Sequence, residues 1–119
     1  MADYVFLFRG GDTSQMEFSP DEMQQHMQKW FGWIDSLRER GIYKGGEPLE
    51  DEGLVVTPDQ AITDGPFPES KEMIGGYVMI SADSIEEAAE IGKGCPILLS
   101  RGKVEVRPVA LIKGHNDGG

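Results

Sequence analysis

The sequence predicts an α+β fold of the ferredoxin-like split β-α-β type: a four-stranded antiparallel sheet with two helices on one face. Three observations predict it. Two stretches carry helix-capping signals and 3.6-residue spacing, the apolar runs around them have strand length, and the elements follow in the order β-α-β(β)-β-α-β. With 119 residues the chain has the size of one domain. Residues 1–113 are expected to form that domain and residues 114–119 a glycine-rich tail.

Tyr4 to Arg9 is an apolar run with β-favouring aromatics, closed by Gly10-Gly11-Asp12, and reads as the first strand. Ser19-Pro20-Asp21-Glu22 then supplies an N-cap, a proline at the first helical position and a glutamate at the capping-box position. From there Met23, Met27, Trp30, Ile34 and Leu37 recur at alternating spacings of four and three. That spacing gathers them on one stripe of a helix, and Gly41 stops it. Methionine and tryptophan on such a stripe are expected to pack a core. His26 stands one residue off the stripe and is expected at the surface.

Gly45-Gly46-Glu47-Pro48 and the acidic run Glu50-Asp51-Glu52 read as a connection. Gly53 to Thr57 reads as a strand, Pro58-Asp59 as a turn, and Ala61 to Thr63 as a short return strand that makes a hairpin. Asp64 to Glu69 is rich in glycine and proline and reads as a loop, before a strand over Gly75 to Ala82. Ser84 caps a second helix with Glu86 and Glu87 in its first turn; Ile85, Ala88, Ala89 and Ile91 are its expected buried side, and Gly92 and Gly94 its end. Lys103 to Ile112 is the last strand. Pro108 lies within it and cannot donate to a ladder, so this strand must be an edge or carry a bulge.

Lys and Arg number 11 against 21 Asp and Glu, a net charge of −10. A phosphate backbone or an anionic membrane surface needs a cationic face, so neither nucleic acid nor a membrane is an expected partner. The excess is uneven: residues 1–92 hold 6 basic and 19 acidic side chains, residues 93–119 hold 5 and 2. Cys95 is the single cysteine, which excludes an internal disulfide and a cysteine cluster for metal. His26 and His115 lack the spacing of metal ligands, so no metal and no cofactor is expected. With no apolar run of 18 residues and no leader pattern, the chain reads as mature and cytoplasmic.

Two helices cover one face of such a sheet, and the other face should be polar if it meets water. Yet Tyr4, Phe6 and Phe8 alternate with Val5 and Leu7, and Tyr77 and Met79 alternate with Val78 and Ile80, so both faces are apolar. A second copy of the chain is the expected cover, in a homodimer with sheets packed face to face. In the last strand Val104 and Val106 point one way and Glu105, Arg107 and Val109 the other. The Glu105 and Arg107 pair is either an exposed edge pair or a partly buried pair lining a cleft.

One set of residues resembles a known family. Asp64-Gly65-Pro66-Phe67, followed by Glu69, Lys71-Glu72, Gly75-Gly76-Tyr77, Ser84 with Glu86-Glu87-Ala88, and Val104-Glu105-Val106-Arg107-Pro108, is similar to the DGPF branch of the YCII-related family. Trp30 and Trp33 ahead of Leu37 and Gly41, and Gly46 ahead of Leu49, agree with it. The resemblance covers nearly the whole chain. It implies a dimeric α+β barrel, in which two ferredoxin-like protomers join their sheets and each keeps a cleft; barrels of this kind include isomerases, dehydrochlorinases and monooxygenases. Some YCII-related proteins carry a His-Asp dyad, whose places fall here on Trp30 and near Cys95-Pro96. Neither dyad residue is present, so the dyad's chemistry does not carry over.

The expected role is that of a small soluble homodimer with a cleft beside the sheet for a small organic ligand, anionic or aromatic. In that reading Asp64 is the acid or base, because a partly desolvated carboxylate has its pKa raised toward neutrality. Arg107 and Lys71 are candidate partners for an anionic group, and Phe67 and Trp30, with Tyr4 and Phe6, are candidates for an aromatic wall. The alternative is a ligand sensor or partner-binding module without catalysis, in which Asp64-Gly65-Pro66-Phe67 is a rigid structural turn.

Overall fold

A computed structural model describes residues 1–10, 19–50, 52–64 and 74–111 of the chain, Asp64 by its backbone alone. Among the described residues six strands, two α-helices and one 3-10 helix run in the order β1 (Ala2–Arg9), α1 (Pro20–Glu39), β2 (Tyr43–Pro48), β3 (Leu54–Val56), β4 (Ile62–Asp64), β5 (Ile74–Ala82), α2 (Ile85–Gly92), the 3-10 helix Pro96–Ser100 and β6 (Lys103–Pro108). The main sheet has the order β2-β5-β1-β6 with every pairing antiparallel. This is the expected ferredoxin-like α+β arrangement.

The main sheet differs from expectation in one member. Its outer strand on the β5 side is β2, which includes the Gly45-Gly46-Glu47-Pro48 run read from sequence as a connection. Residues 54–56 and 62–64, read as a strand and its return, do form a hairpin, but that hairpin is a separate two-stranded ribbon. The reason lies at Gly46. A Cβ there would stand 2.4 Å from the Tyr77 carbonyl oxygen and 2.8 Å from Val78 Cγ2, so only glycine lets β2 close on β5.

The helix ends follow local chemistry. At the start of α1 the Glu22 N–H donates to Ser19 Oγ at 3.1 Å while the Ser19 N–H donates to Glu22 Oε1 at 3.2 Å, a complete capping box. At its end Gly41 takes φ 72°, the Gly41 N–H donates to the Arg38 carbonyl, and the Ile42 N–H reaches the Leu37 carbonyl. These are the two bonds of a Schellman motif, and its apolar contact joins the buried Leu37 and Ile42. Ser84 caps α2 by accepting from the Glu87 N–H at 3.1 Å. Only Ala88, Ile91 and Gly92 of α2 are buried; Ile85 and Ala89, expected inside and one turn apart on the helix, are both exposed. Neither Gly92 nor Gly94 takes a positive φ, and α2 ends in a right-handed cap at Lys93.

The core lies between the helices and one sheet face. Tyr4, Phe6 and Phe8 of β1 and Val78, Ile80 and Ala82 of β5 meet Leu37, Ala88 and Ile91. Trp30 and Trp33 pack on Phe8, Phe6 and each other, with ring centroids 5.2–6.2 Å apart. The buried stripe of α1 differs from the sequence reading. His26 is 9% exposed while Met27 is exposed, and the inward positions are Met23, His26, Trp30, Trp33, Ile34 and Leu37.

The last strand ends at Pro108, and β6 is an edge strand, as its proline required. The opposite sheet face carries Val5, Leu7, Tyr77 and Met79, all half-buried, with Val5 across from Met79 and Leu7 across from Tyr77. Charged pairs border it: Arg9 Nε stands 2.7 Å from Glu105 Oε1, and Lys44 Nζ stands 3.5 Å from Asp3 Oδ1.

Candidate functional site

The middle of α1 faces the segment that follows α2, and between them lies an open cleft of about 390 Å³. One wall is Lys29 and Trp33, a turn apart on α1. The other is the run from Lys93 to Pro96 with Leu98 and Leu99 of the 3-10 helix. The cleft is on the helix side of the sheet.

Its floor is rigid. Trp33 lies against Phe6, 27° from parallel at 6.0 Å, and makes edge contacts with Phe8 and Trp30. Trp30 in turn donates its indole N–H to His26 Nε2 at 3.2 Å, which places the neutral ring's proton on Nδ1. The Trp33 indole N–H finds no acceptor among the described residues. No fully buried side-chain polar atom among them lacks a partner, so this N–H is open to the cleft's solvent.

The electrostatics are one-sided. Lys29 has no ion-pair partner among the described residues, whereas Lys93 Nζ lies 2.7 Å from Glu90 Oε1. Cys95 is buried, and desolvation pushes its thiol from 9.0 up to about 12, beyond the smaller opposing effect of a hydrogen bond with the Ile97 backbone. The thiol is therefore protonated at neutral pH and serves as apolar wall rather than nucleophile. Donors, cations and apolar surface line the cleft, and among the described residues no carboxylate does.

Among the residues singled out from sequence, Trp30 and Arg107 do not converge. Trp30 is in the core layer on the helix side. Arg107 is exposed on the opposite face of the sheet, its Nε 3.8 Å from Glu105 Oε2, while Glu105 pairs across the face with Arg9. Trp30 and Arg107 thus cannot share one cleft in a protomer. Tyr4 and Phe6 are core residues rather than a cleft wall. Asp64 ends β4, paired opposite Leu54 in the ribbon. Phe67 and Lys71 lie outside the described residues. His26, expected at the surface, is the buried acceptor for Trp30.

Sequence reasoning missed Lys29, Trp33, Lys93 and Gly94 as a group. One signal was available: Gly92 and Gly94 both stand at the end of α2, where one glycine suffices to stop a helix.

The model of the YCII-related domain matches residues 2–113. The chain belongs to the YCII-related family. An uncharacterized protein of Rhizobium meliloti (strain 1021) is 40% identical over 53 residues, 44% of this chain and 43% of that protein, so the match spans less than half of the relative. The fold is shared with 5-chloro-2-hydroxyhydroquinone dehydrochlorinase from Burkholderia phenoliruptrix AC1100, solved in complex with 2,5-dihydroxybenzoquinone. That likeness has a TM-score of 0.53 at 14% identity and covers 95% of this chain and 97% of the other. Trp30 lies on α1 and Cys95-Pro96 follow α2, so both stand on the elements that wall the cleft.

Proposed function

We propose that this YCII-related protein is a homodimer that binds a small organic ligand in the cleft between α1 and the Lys93–Leu99 segment. The observation that carries the reading is the Trp33 indole N–H and the Lys29 ammonium, neither with a partner among the described residues, in one concave site of about 390 Å³, within the size range of small-molecule sites. The shared fold supports it, since the dehydrochlorinase of that fold holds a small quinone. Dimerisation is supported by the apolar centre and charged border of the uncovered sheet face.

A fragment screen by NMR on protein with labelled Leu methyl groups tests the ligand reading. Binders are expected to move the Leu98 and Leu99 methyl signals together with the Trp33 indole signal. A set of binders that all move other residues overturns it.

A second reading, the partner-binding module, draws on the ribbon. Leu54, Val56 and Ile62 lie on one side of it and are 68%, 64% and 65% exposed, and a two-stranded ribbon is marginal without something to pack on. This reading gains if no fragment perturbs the cleft.

A further inference from the structure

We infer that the ligand of this cleft is a small planar anion, such as an aromatic carboxylate, whose oxygen accepts the Trp33 Nε1–H through the space that Gly94 leaves open. The inference rests on the cleft reading above and specifies its chemistry.

Gly94 is the first support. A Cβ at this position would stand 3.2 Å from Trp33 Nε1 and 3.3 Å from its Cδ1, tighter than ordinary contact. The backbone does not ask for glycine here, since Gly94 has no positive φ and the helix is already capped at Lys93. What glycine secures is access to the indole edge. A side chain at position 94 would crowd the one ring donor of the cleft that has no acceptor among the described residues.

Preorganisation is the second support. Contacts with Phe6, Phe8 and Trp30 on several sides fix the Trp33 ring, so its N–H keeps one direction. A donor held in this way loses little entropy when an acceptor arrives.

Complementarity sets the class. The side-chain polar groups of the lining are donors: the indole N–H, the ammonium groups of Lys29 and Lys93, and a thiol that stays protonated. Such a lining leaves a ligand's donors unpaired and satisfies its acceptors, best of all charged ones. Lys29 and Lys93 with Glu90 leave a local charge of +1 on a protein whose net charge is −10. Pro96, Leu98 and Leu99 opposite the indole accommodate a flat apolar body.

The test uses the full chain, 15N-labelled, titrated with benzoate and with benzamide, a neutral compound of nearly the same shape. Benzoate is expected to shift the Trp33 indole N–H signal downfield, and benzamide to bind at least tenfold more weakly. Gly94→Ala is expected to weaken benzoate at least tenfold without altering the circular dichroism spectrum. Lys29→Met, at an exposed position, is expected to weaken it several-fold and serves alone if Gly94→Ala does not fold. Equal binding of benzamide, or benzoate that moves the Leu98 and Leu99 signals but not the Trp33 indole, overturns the assignment of class and donor while the cleft reading stands. If neither probe moves any cleft signal, this inference fails. If the fragment library also leaves those signals unmoved, the cleft reading fails with it.

Discussion

Raising the pH is a direct probe of how Cys95 is buried. The folded thiol titrates near 12 against 9.0 for a solvated one, and desolvation is the main cause. A group whose folded pKa is raised contributes stability that is fully present below the unfolded value and is lost as pH rises toward the folded one, so the window is pH 9 to 12. At pH 10 the unfolded chain's thiol is mostly ionised and the folded one scarcely so. Linkage then puts the loss between pH 8 and pH 10 at about 1.4 kcal/mol for this group alone. Lysines and tyrosines titrate in the same range, so the wild type by itself does not isolate Cys95. Urea unfolding of wild type and Cys95→Ala at both pH values, with reductant present, removes the shared contribution. The wild type is expected to lose about 1.4 kcal/mol more than the variant over this interval. Equal losses would refute the argument and show that water reaches the thiol beneath the cleft.

Three further outcomes follow from the packing. Gly46→Ala should cost about 3 kcal/mol or more in a thermal or urea melt, because the added methyl meets the Tyr77 carbonyl at 2.4 Å; a loss under about 1 kcal/mol would contradict the β2–β5 register. His26→Ala should cost about 2–4 kcal/mol, since it empties a buried ring position and leaves the Trp30 N–H without its acceptor. A change within about 0.5 kcal/mol, as for a surface residue, would argue against the observed stripe of α1. Light scattering behind size-exclusion chromatography should give the wild type about twice its 13.1 kDa chain mass, and Leu7→Glu, at the centre of the uncovered sheet face, should give a monomer; a monomeric wild type at micromolar concentration would remove the dimer from the proposed function.

The sequence by itself determined whatever depends on a few neighbouring residues. Both helix starts follow from Ser19 and Ser84, whose side chains accept from an N–H three residues on. The end of α1 follows from Gly41, and the 57–60 turn from Asp59, which accepts from the Ala61 N–H and the Thr57 hydroxyl. The run of β-favouring residues from Tyr4 to Arg9 announced β1, and Pro108 announced an edge or a bulge. Tertiary structure alone decided the rest. Strand β2 has one large apolar residue, Tyr43, and two glycines, so its identity comes from pairing with β5 rather than from propensity. On α1 the stripes through His26 and through Met27 are nearly equivalent patterns, and the sheet and 3-10 helix against which α1 lies decided which turned inward. Trp33 and Gly94 are 61 residues apart, and no local rule brings the edge of an indole against a glycine that distant. The cleft forms because the crossover after α2 returns its chain beside α1, a consequence of antiparallel pairing across the whole sheet.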